Sequence, residues 1–386
     1  MTVERRLRDF TAPGEAEARD RAGAVSAAAF AARAPRRRAS RLRMLPAVAA
    51  LALIVALAAT APGEAVADWF RDLVRADRPT PGRAPALTAL PAPGRLLVTG
   101  AGGAWVVQAD GSSRRLGAFE DASWSPRGLF VAATRGRSLS AVEPHGSVRW
   151  TLARAEPVSQ PVWAPSGFRI AYRAGRSLRV VAGDGSGDRL LAGRAAAVAP
   201  AWKPDRTRHL LAFAGRRGAV ELHDTDTDRV VWRSKGGAAP VDLEWVAGGR
   251  SLAVLRGDEL ELLDGAGRVR RTERLPGRAV SSSDRPGRTD LAVSVAGRGG
   301  TGRVMLMRVR GTPPAPRTSF ASPGAIGEVA FSPDGTTVLA SRPGVGEWVV
   351  LPVERGRARA IGGIARHFDP RRDRPRGMPT VRGWTR

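Results

Sequence analysis

The chain has 386 residues, a formal net charge of +26 and no cysteine. The missing cysteine excludes disulfides, thiolate metal sites, iron–sulfur clusters and cysteine nucleophiles. A strongly basic chain often binds nucleic acid, but the only lysines are Lys203 and Lys235, and arginine is spread along a chain rich in alanine and glycine. We attribute the charge to a general arginine bias and do not predict a nucleic-acid-binding protein.

Residues 1–43 are predicted to form a short cytoplasmic segment that contains one helix. Residues 15–34 are rich in alanine, with acidic residues early and Arg33 late, which is the distribution that the helix dipole favours. Pro13 and Pro35 bound this stretch. A segment of this length is too short for a catalytic domain.

One apolar segment, residues 44–62, is predicted to cross a membrane. Its central part, Leu45–Ala61, has no charged residue, and as a helix it would span about 25 Å at ~1.5 Å per residue. Six arginines lie within residues 33–43, just before the segment, and acidic residues follow it. The positive-inside rule places the N-terminus in the cytoplasm and the rest of the chain outside.

A cleaved export signal is the alternative interpretation of the same segment. Ala65-Val66-Ala67 has the small-x-small form of a cleavage site, and Arg36-Arg37-Arg38 resembles a twin-arginine signal. A leader of 43 residues is long for a signal peptide, so we favour a retained anchor. Both interpretations place the body of the protein outside the cytoplasm.

Residues 63–93 are predicted to connect the membrane to a folded domain. Asp68–Val74 has the pattern of an amphipathic turn, which could lie at the outer membrane surface or pack under the next domain. Residues 78–94 contain five prolines, and this composition predicts a semi-rigid spacer.

From about residue 94 the chain repeats an aromatic residue that is followed closely by proline or glycine. The copies, of which the fifth has lost its aromatic, are Trp124–Gly128, Trp163–Gly167, Trp202–Asp205, Trp245–Gly249, Ser283–Gly287 and Phe331–Gly335. After each copy come two apolar strands, a turn and a last strand that is often rich in arginine. Steps of about 40 residues are typical of four-stranded propeller blades.

The two ends of the repeat region complement each other. Residues 94–117 supply the second, third and fourth strands of a blade, and Ile364–Pro370 would supply the missing first strand, with Phe368 in phase. We predict an all-β, seven-bladed propeller over residues 94–374, in which a C-terminal strand completes the first blade. Closure of the ring removes exposed sheet edges. Residues 375–386 are predicted to form a basic tail.

The repeat resembles the TolB-type and WD-repeat-like propellers, whose unit has a strand ending in Phe/Trp-Ser-Pro-Asp-Gly. Phe331–Gly335 matches that signature in full, Trp124–Gly128 has arginine in the acidic position, and the resemblance covers about residues 94–370. It implies a fold and not a function, because propellers host many activities. Val148-Arg149-Trp150 and Val230-Val231-Trp232 also resemble the repeat of quinone-dependent dehydrogenases, without a set of cofactor ligands.

No catalytic, cofactor-binding or metal-binding residues are predicted. The chain has four histidines, His145, His209, His223 and His367. They lack the HxxxH or HExxH spacing that favours zinc. His145 falls in a predicted hairpin turn, and His209 and His223 flank two strands of one blade.

Three loops resemble functional motifs but fall where the repeat predicts connections between strands. Asp224–Asp228 has the alternating acids of a calcium loop, without its glycine and distal glutamate. Gly183–Asp188 contains a serine that is not in a GxSxG elbow, and Gly299–Gly302 does not precede a helix. The motif aromatics are predicted to fill the core between blades.

The sequence therefore predicts a non-enzymatic, membrane-anchored propeller. It would bind a protein, a peptide or a cell-envelope polymer outside the cytoplasm. Two alternatives stay open. One is a transmembrane sensor that signals through helix 15–34, with the topology of membrane-bound anti-sigma proteins but without their HxxxCxxC motif. The other is a propeller enzyme, either a lyase or a quinoprotein.

Overall fold

The structure, a computed structural model, describes residues 86–205, 207–310, 317–354, 356–369 and 377–386. In these ranges the strands form seven four-stranded antiparallel sheets. The first strands of neighbouring sheets contact one another all the way around a ring. The sheets are therefore the blades of a seven-bladed β-propeller, which confirms the predicted class, blade number and blade size.

The strands of blades 1 to 4 are β1 (Arg95–Gly100), β2 (Gly103–Val107), β3 (Ser113–Gly117); β4 (Asp121–Trp124), β5 (Val131–Arg135), β6 (Ser138–Val142), β7 (Val148–Ala153); β8 (Val158–Trp163), β9 (Arg169–Ala174), β10 (Ser177–Ala182), β11 (Arg189–Ala192); β12 (Ala201–Trp202), β13 (Leu210–Ala214), β14 (Val220–Asp224) and β15 (Arg229–Arg233).

The strands of blades 5 to 7 are β16 (Asp242–Val246), β17 (Ser251–Arg256), β18 (Glu259–Leu263), β19 (Val269–Arg274); β20 (Arg278–Asp284), β21 (Asp290–Ala296), β22 (Gly302–Arg308), β23 (Arg317–Ser322); β24 (Val329–Phe331), β25 (Thr337–Arg342), β26 (Glu347–Pro352) and β27 (Arg359–Ile361). The last strand, β28 (Thr380–Thr385), belongs to blade 1. Single 3-10 turns occupy Arg216–Gly218, Arg298–Gly300 and Pro343–Val345, and a short helix, α1, spans Ile364–Phe368.

The predicted cytoplasmic helix and the predicted membrane segment, residues 44–62, lie outside the described residues. Within the described ranges no helix is long and apolar enough to cross a membrane. Both elements stay predictions. Part of the predicted spacer is described, and there Leu87 and Leu90 are buried in a cluster with residues of blades 1 and 7.

Burial explains why each blade has the strand pattern that the repeat predicts. The second strands, such as β13 and β17, are continuous apolar runs because they are covered on both faces by neighbouring blades. The fourth strands β7 and β19 are mostly exposed, and they carry one arginine and three arginines respectively. Charged side chains on an edge strand oppose pairing with another chain, which accounts for the arginine-rich last strands.

The repeated motif forms a tight turn between the first and second strands of a blade. In blade 7 the Gly335 N–H donates to the Ser332 carbonyl at 2.8 Å, and Gly335 has φ +69°, a conformation that favours glycine. Gly128 makes the same bond to Ser125 in blade 2. We call the side of the ring that carries these turns the motif face.

Blade 1 is closed by the C-terminus, as predicted, but by a different segment. β28 pairs with β1 and places Trp384 opposite Leu96. Phe331 lies opposite Val338 in the same way in blade 7, so Trp384 occupies the position predicted for Phe368. The prediction that Ile364–Pro370 forms the closing strand is wrong.

The physical reason is that α1 uses the predicted residues to fill a gap. Ile364 and Phe368, four residues apart, are both buried. The Phe368 ring lies 5.9 Å from the Trp105 ring and 5.7 Å from the Trp348 ring, between blades 1 and 7. The last repeat is therefore longer than the others, and residues predicted to form the basic tail supply the strand.

The degenerate copy in blade 6 is displaced by one residue from the predicted position. Asp284 pairs with Leu291, and the Arg285 N–H donates to the Asp290 carbonyl at 2.9 Å. These are the positions of the aromatic and of the residue after it in the other blades. Asp284, and not Ser283, therefore replaces the motif aromatic.

Side chains join the first strands of neighbouring blades. We call the boundary between two neighbouring blades a seam. A first strand pairs within its own blade on one side only, so N–H groups at its other edge need acceptors. The Asp121 carboxylate accepts the Gln160 N–H at 2.9 Å, the Asp242 carboxylate accepts the Ser282 N–H at 2.7 Å, and the Ser283 hydroxyl accepts the Phe331 N–H at 3.0 Å.

Candidate functional site

A groove of about 1070 Å³ crosses the motif face from blade 2 to blade 4. Its walls are the motif turns of blades 2 and 3, the turn between β10 and β11, and His209 of blade 4. The side chains that line it include Arg127, Leu129, Arg149, Trp150, Trp163, Ser166, Phe168, Arg169, Asp184 and His209. The groove lies where blades 2 and 3 present the same kind of turn side by side.

Two large apolar side chains stand exposed beside the groove. Leu129 is 58% exposed and Phe168 is 68% exposed. Each lies five residues after the motif aromatic of its blade, a position that is Arg250 in blade 5 and Thr336 in blade 7. The repeat therefore tolerates a polar residue here, and blades 2 and 3 place an apolar residue instead. Contiguous exposed apolar side chains indicate a surface that contacts another molecule.

Two tryptophans form the floor between blades 2 and 3. Trp163 is buried, and the indole N–H of Trp150 donates to the Gly183 carbonyl at 3.0 Å. Glycine is required in the turn after β10 because a Cβ on Gly185, which has φ +88°, would lie 2.8 Å from the Trp150 ring. The sequence predicts only an ordinary hairpin turn here. In the structure, the glycines of this turn let the backbone pack against the two tryptophans of the floor.

The rim of the groove is mainly positive. Arg127 is exposed and makes no ion pair within the described ranges, whereas Arg149 pairs with Glu143 and Arg169 lies 3.6 Å from Asp226. Asp184 also lines the groove, and its carboxylate accepts the Ser186 hydroxyl at 2.7 Å and N–H at 3.0 Å, which hold its pKa below the usual value. Three arginines and one aspartate therefore line this rim, although two of the arginines are paired with carboxylates.

A serine, a histidine and an aspartate are connected in sequence at the blade 4 end of the groove. The Ser166 hydroxyl lies 2.7 Å from His209 Nε2, and the two carboxylate oxygens of Asp226 lie 2.8 and 2.7 Å from His209 Nδ1. Sequence reasoning missed this set. Its members come from the motif turns of blades 3 and 4 and from the turn between β14 and β15.

A second polar cluster lies at the centre of the ring, between blades 5 and 6. Burial, together with the nearby carboxylates of Asp242 and Asp284, raises the pKa of Glu244 to about 8. Burial also raises the pKa of Asp284 to about 7. Burial raises the pKa of Asp242 despite hydrogen bonds from Ser282 and Leu243. The acids are side chains of first strands, and Asp242 is the one that accepts the Ser282 N–H across the seam.

The structure places the loops singled out in the sequence at hairpin connections. Asp224–Asp228 joins β14 to β15, Gly183–Asp188 joins β10 to β11, and Gly299–Gly302 leads from a 3-10 turn into β22. Two aspartates of the first loop contact histidines outside it: Asp226 contacts His209, and Asp228 lies 3.1 Å from His223. In the part of the chain that the structure describes, no group of His, Asp or Glu residues is arranged to hold a metal ion.

The predicted location of the motif aromatics is confirmed. Trp163, Trp202, Trp245 and Phe331 are buried. The indole N–H groups of Trp202 and Trp245 also donate to the carbonyls of Val162 and Ala201 in the preceding blade, at 2.9 and 3.0 Å. The aromatic residues thus hold adjacent blades together, and only Trp163 also lines the groove.

Comparisons with known proteins agree with this architecture. The chain is similar to hydrazine synthase from Kuenenia stuttgartiensis, with a TM-score of 0.51 and 14% identity over 61% of this chain and 76% of that one. It is also similar to the β-propeller domain of Cps50 (Swd1) from Myceliophteria thermophila, with a TM-score of 0.52 and 16% identity over 63% of this chain and 85% of that one. The shared feature is the propeller. At these identities the likeness concerns the fold alone, and no family model and no curated protein matches the sequence.

Proposed function

We propose that the chain is a binding protein whose groove on blades 2 to 4 receives an acidic segment of a partner protein. The observation that carries the proposal is the exposed pair Leu129 and Phe168, which stands on adjacent blades at a position that is polar elsewhere in the ring. An apolar pair of this kind gains free energy when a partner covers it.

Charge favours an acidic partner. Arg127 forms no ion pair with any residue that the structure describes, and Arg149 and Arg169 retain exposed guanidinium surface beside it. Carboxylates of a bound segment would pair with these arginines while its apolar side chains contact Leu129 and Phe168. Apolar contacts at the centre and charged contacts at the rim are the usual arrangement of protein interfaces.

We also propose that residues 44–62 hold the propeller at a membrane, with the propeller outside the cytoplasm. The support is the uncharged stretch Leu45–Ala61 and the arginines before it. Because the chain has no cysteine, single cysteines can report topology. In intact cells an impermeant maleimide should label Val345→Cys, and it should label Ser26→Cys only after lysis. Labelling in the opposite pattern would remove the proposed orientation.

Binding can be measured with short fluorescent peptides that alternate glutamate with phenylalanine or leucine. The full-length protein in detergent should bind these peptides, and peptides with lysine in place of glutamate should bind about tenfold more weakly or worse, which corresponds to ~1.4 kcal/mol or more. Phe168→Glu and Leu129→Glu should each weaken binding of the acidic peptide by about tenfold, because each removes an apolar contact and adds repulsion.

The matched control is Val345→Glu, because Val345 is 57% exposed and lies in the connection between β25 and β26, on the side of the ring opposite the motif face. This variant should bind like the parent. Equal affinity for the acidic and basic peptides, or equal loss in all three variants, would show that the groove is not the binding surface.

A further inference from the structure

We propose that Ser166 is a nucleophile, activated by His209 and Asp226, that hydrolyses esters bound in the groove. This activity goes beyond the proposed binding of a partner protein, and it uses side chains of the same groove together with His209 and Asp226. Three observations support it: the order of the hydrogen bonds, the way the imidazole is held, and the surface onto which the hydroxyl opens.

The order of the contacts is the one that serine nucleophiles require. A general base must lie ~2.6–3.2 Å from the hydroxyl whose proton it takes, and a third group must orient the base. Ser166 Oγ meets His209 Nε2 at 2.7 Å, and Asp226 meets the other ring nitrogen at 2.7 Å. The same arrangement occurs on several unrelated folds and is recognised by geometry.

The imidazole of His209 is held on its far side. Both oxygens of Asp226 face Nδ1, and the same carboxylate accepts the His209 backbone N–H at 3.2 Å. Thr225 adds two bonds to the His209 carbonyl, from its N–H and from its hydroxyl, each at 2.9 Å. A carboxylate at Nδ1 keeps the proton on that nitrogen, so Nε2 is left free to accept the Ser166 proton.

The neighbouring histidine of the same blade provides an internal contrast. His223 is buried and uses Nε2 for Asp228 at 3.1 Å. In the part of the chain that is described, no serine contacts it. His209, by comparison, lines the groove with 13% of its side chain exposed. Its Nε2, which does not contact Asp226, is hydrogen-bonded to the Ser166 hydroxyl. Of these two histidines, His209 is the one that combines an orienting carboxylate with a hydroxyl beside an open cavity.

The groove supplies a binding site for an ester with an aromatic or aliphatic group. Trp150, Trp163 and Phe168 offer apolar contact near Ser166. Arg127 and Arg169 line the same groove, and their positive charge would favour a carbonyl oxygen that becomes negative during the reaction. The Phe168 N–H donates to the Ser166 hydroxyl at 3.2 Å and would stabilise negative charge on that oxygen.

The reaction proceeds in two balanced steps. In the first, Ser166 Oγ forms a bond to the carbonyl carbon, its proton passes to His209 Nε2, and the ester C–O bond breaks as the alcohol leaves with that proton. In the second, water attacks the acylated serine, gives its proton to His209, and releases the carboxylic acid while Ser166 regains its hydrogen. No metal, oxidant or cofactor enters either step.

The test uses the full-length protein in detergent with a fluorophosphonate probe and p-nitrophenyl butyrate. We expect a covalent adduct on the peptide that contains Ser166, identified by mass spectrometry, and ester hydrolysis above the buffer rate. Ser166→Ala and His209→Gln should abolish the adduct and reduce hydrolysis by ~100-fold or more, the scale of a general base. Asp226→Asn should reduce both by about tenfold or more.

The controls are His223→Gln and Asp228→Asn, which remove the neighbouring histidine–aspartate pair and should leave labelling and hydrolysis unchanged. A circular dichroism melt confirms that each variant folds. If folded parent protein gives no adduct on Ser166, or if Ser166→Ala hydrolyses the ester as fast as the parent, the three residues only join blades 3 and 4 and the proposal is wrong. Acidic-peptide binding, measured on the same samples, reports on the proposed function independently.

Discussion

Two seams of the ring join neighbouring blades through carboxylates and hydroxyls, but they place these groups in opposite surroundings. Between blades 5 and 6, Asp242 lies half-buried on a first strand, where its carboxylate accepts the hydroxyl and the N–H of Ser282. Between blades 3 and 4, Asp226 lies on the motif face with 36% of its side chain exposed and orients His209 towards Ser166.

The difference shows that position within the blade decides what such a contact can do. At the ring centre the carboxylate satisfies a backbone N–H that has no other partner, so its role is structural. On the motif face the Ser166 hydroxyl opens onto a groove, so the same types of side chain are available to a ligand.

Loss of β28 should abolish both seams, because each depends on a closed ring. A chain that ends at residue 379 lacks the first strand of blade 1, leaves β1 with an open edge and removes Trp384 from its place opposite Leu96. We expect no cooperative melting transition by circular dichroism and rapid proteolysis. Trp384→Phe keeps the strand and should melt cooperatively. A truncated chain with the parent's transition would show that closure by β28 is dispensable.

Removal of Asp242 should destabilise the fold more than removal of Asp226. Asp242→Ala leaves the Ser282 N–H without an acceptor at the ring centre, which costs about 1–3 kcal/mol in the free energy of unfolding. Asp242→Asn keeps an acceptor oxygen and should cost less. Asp226→Ala, at an exposed position, should cost under about 1 kcal/mol. Denaturant titration measures all three, and a larger loss for Asp226→Ala would reverse the assignment of the two seams.

The acids at the ring centre should make stability fall as pH rises. Burial raises the pKa of Glu244 to about 8 and that of Asp284 to about 7, so the folded chain holds protons that the unfolded chain has already released. Unfolding then releases protons, and its free energy decreases with pH between the unfolded values near ~4 and these folded values. The melting temperature should be lower at about pH 9 than at about pH 5.5.

Glu244→Gln should flatten this dependence, because it removes the acid with the higher of the two pKa values. The exposed seam offers the matched control: Asp226→Asn should leave the slope of melting temperature against pH unchanged. A parent protein whose melting temperature rises from about pH 5.5 to about pH 9 would contradict the account of the ring centre.

The fold was largely predictable because two signals repeat together, the motif turn and the apolar second strand. The spacing between motif copies predicted the wrong residues at the two places where the chain departs from the repeat. The closing aromatic is Trp384 and not Phe368, since Phe368 belongs to α1 and fills the gap between blades 1 and 7. In blade 6, Asp284 stands where the other copies have an aromatic residue. Neither departure changes the number of blades, which is why the architecture was still correct.

The site was less predictable than the fold. The apolar character of Leu129 and Phe168 is visible when the copies are aligned five residues after the motif aromatic, but their exposure is a property of the ring. Ser166 and His209 are 43 residues apart, and His209 and Asp226 are 17 apart. Only the packing of blade 3 against blade 4 brings the three together, and no local motif records it.

Hydrogen exchange read by mass spectrometry, with and without the acidic peptide, tests most directly the claim that the motif face of blades 2 and 3 binds ligand. The account predicts that bound peptide slows exchange in residues 125–130 and 163–169, and that the equivalent turns of blades 6 and 7, residues 285–290 and 332–337, exchange as before. Protection of the blade 6 and 7 turns, or of the opposite side of the ring, with no change at residues 125–130 and 163–169 would contradict it.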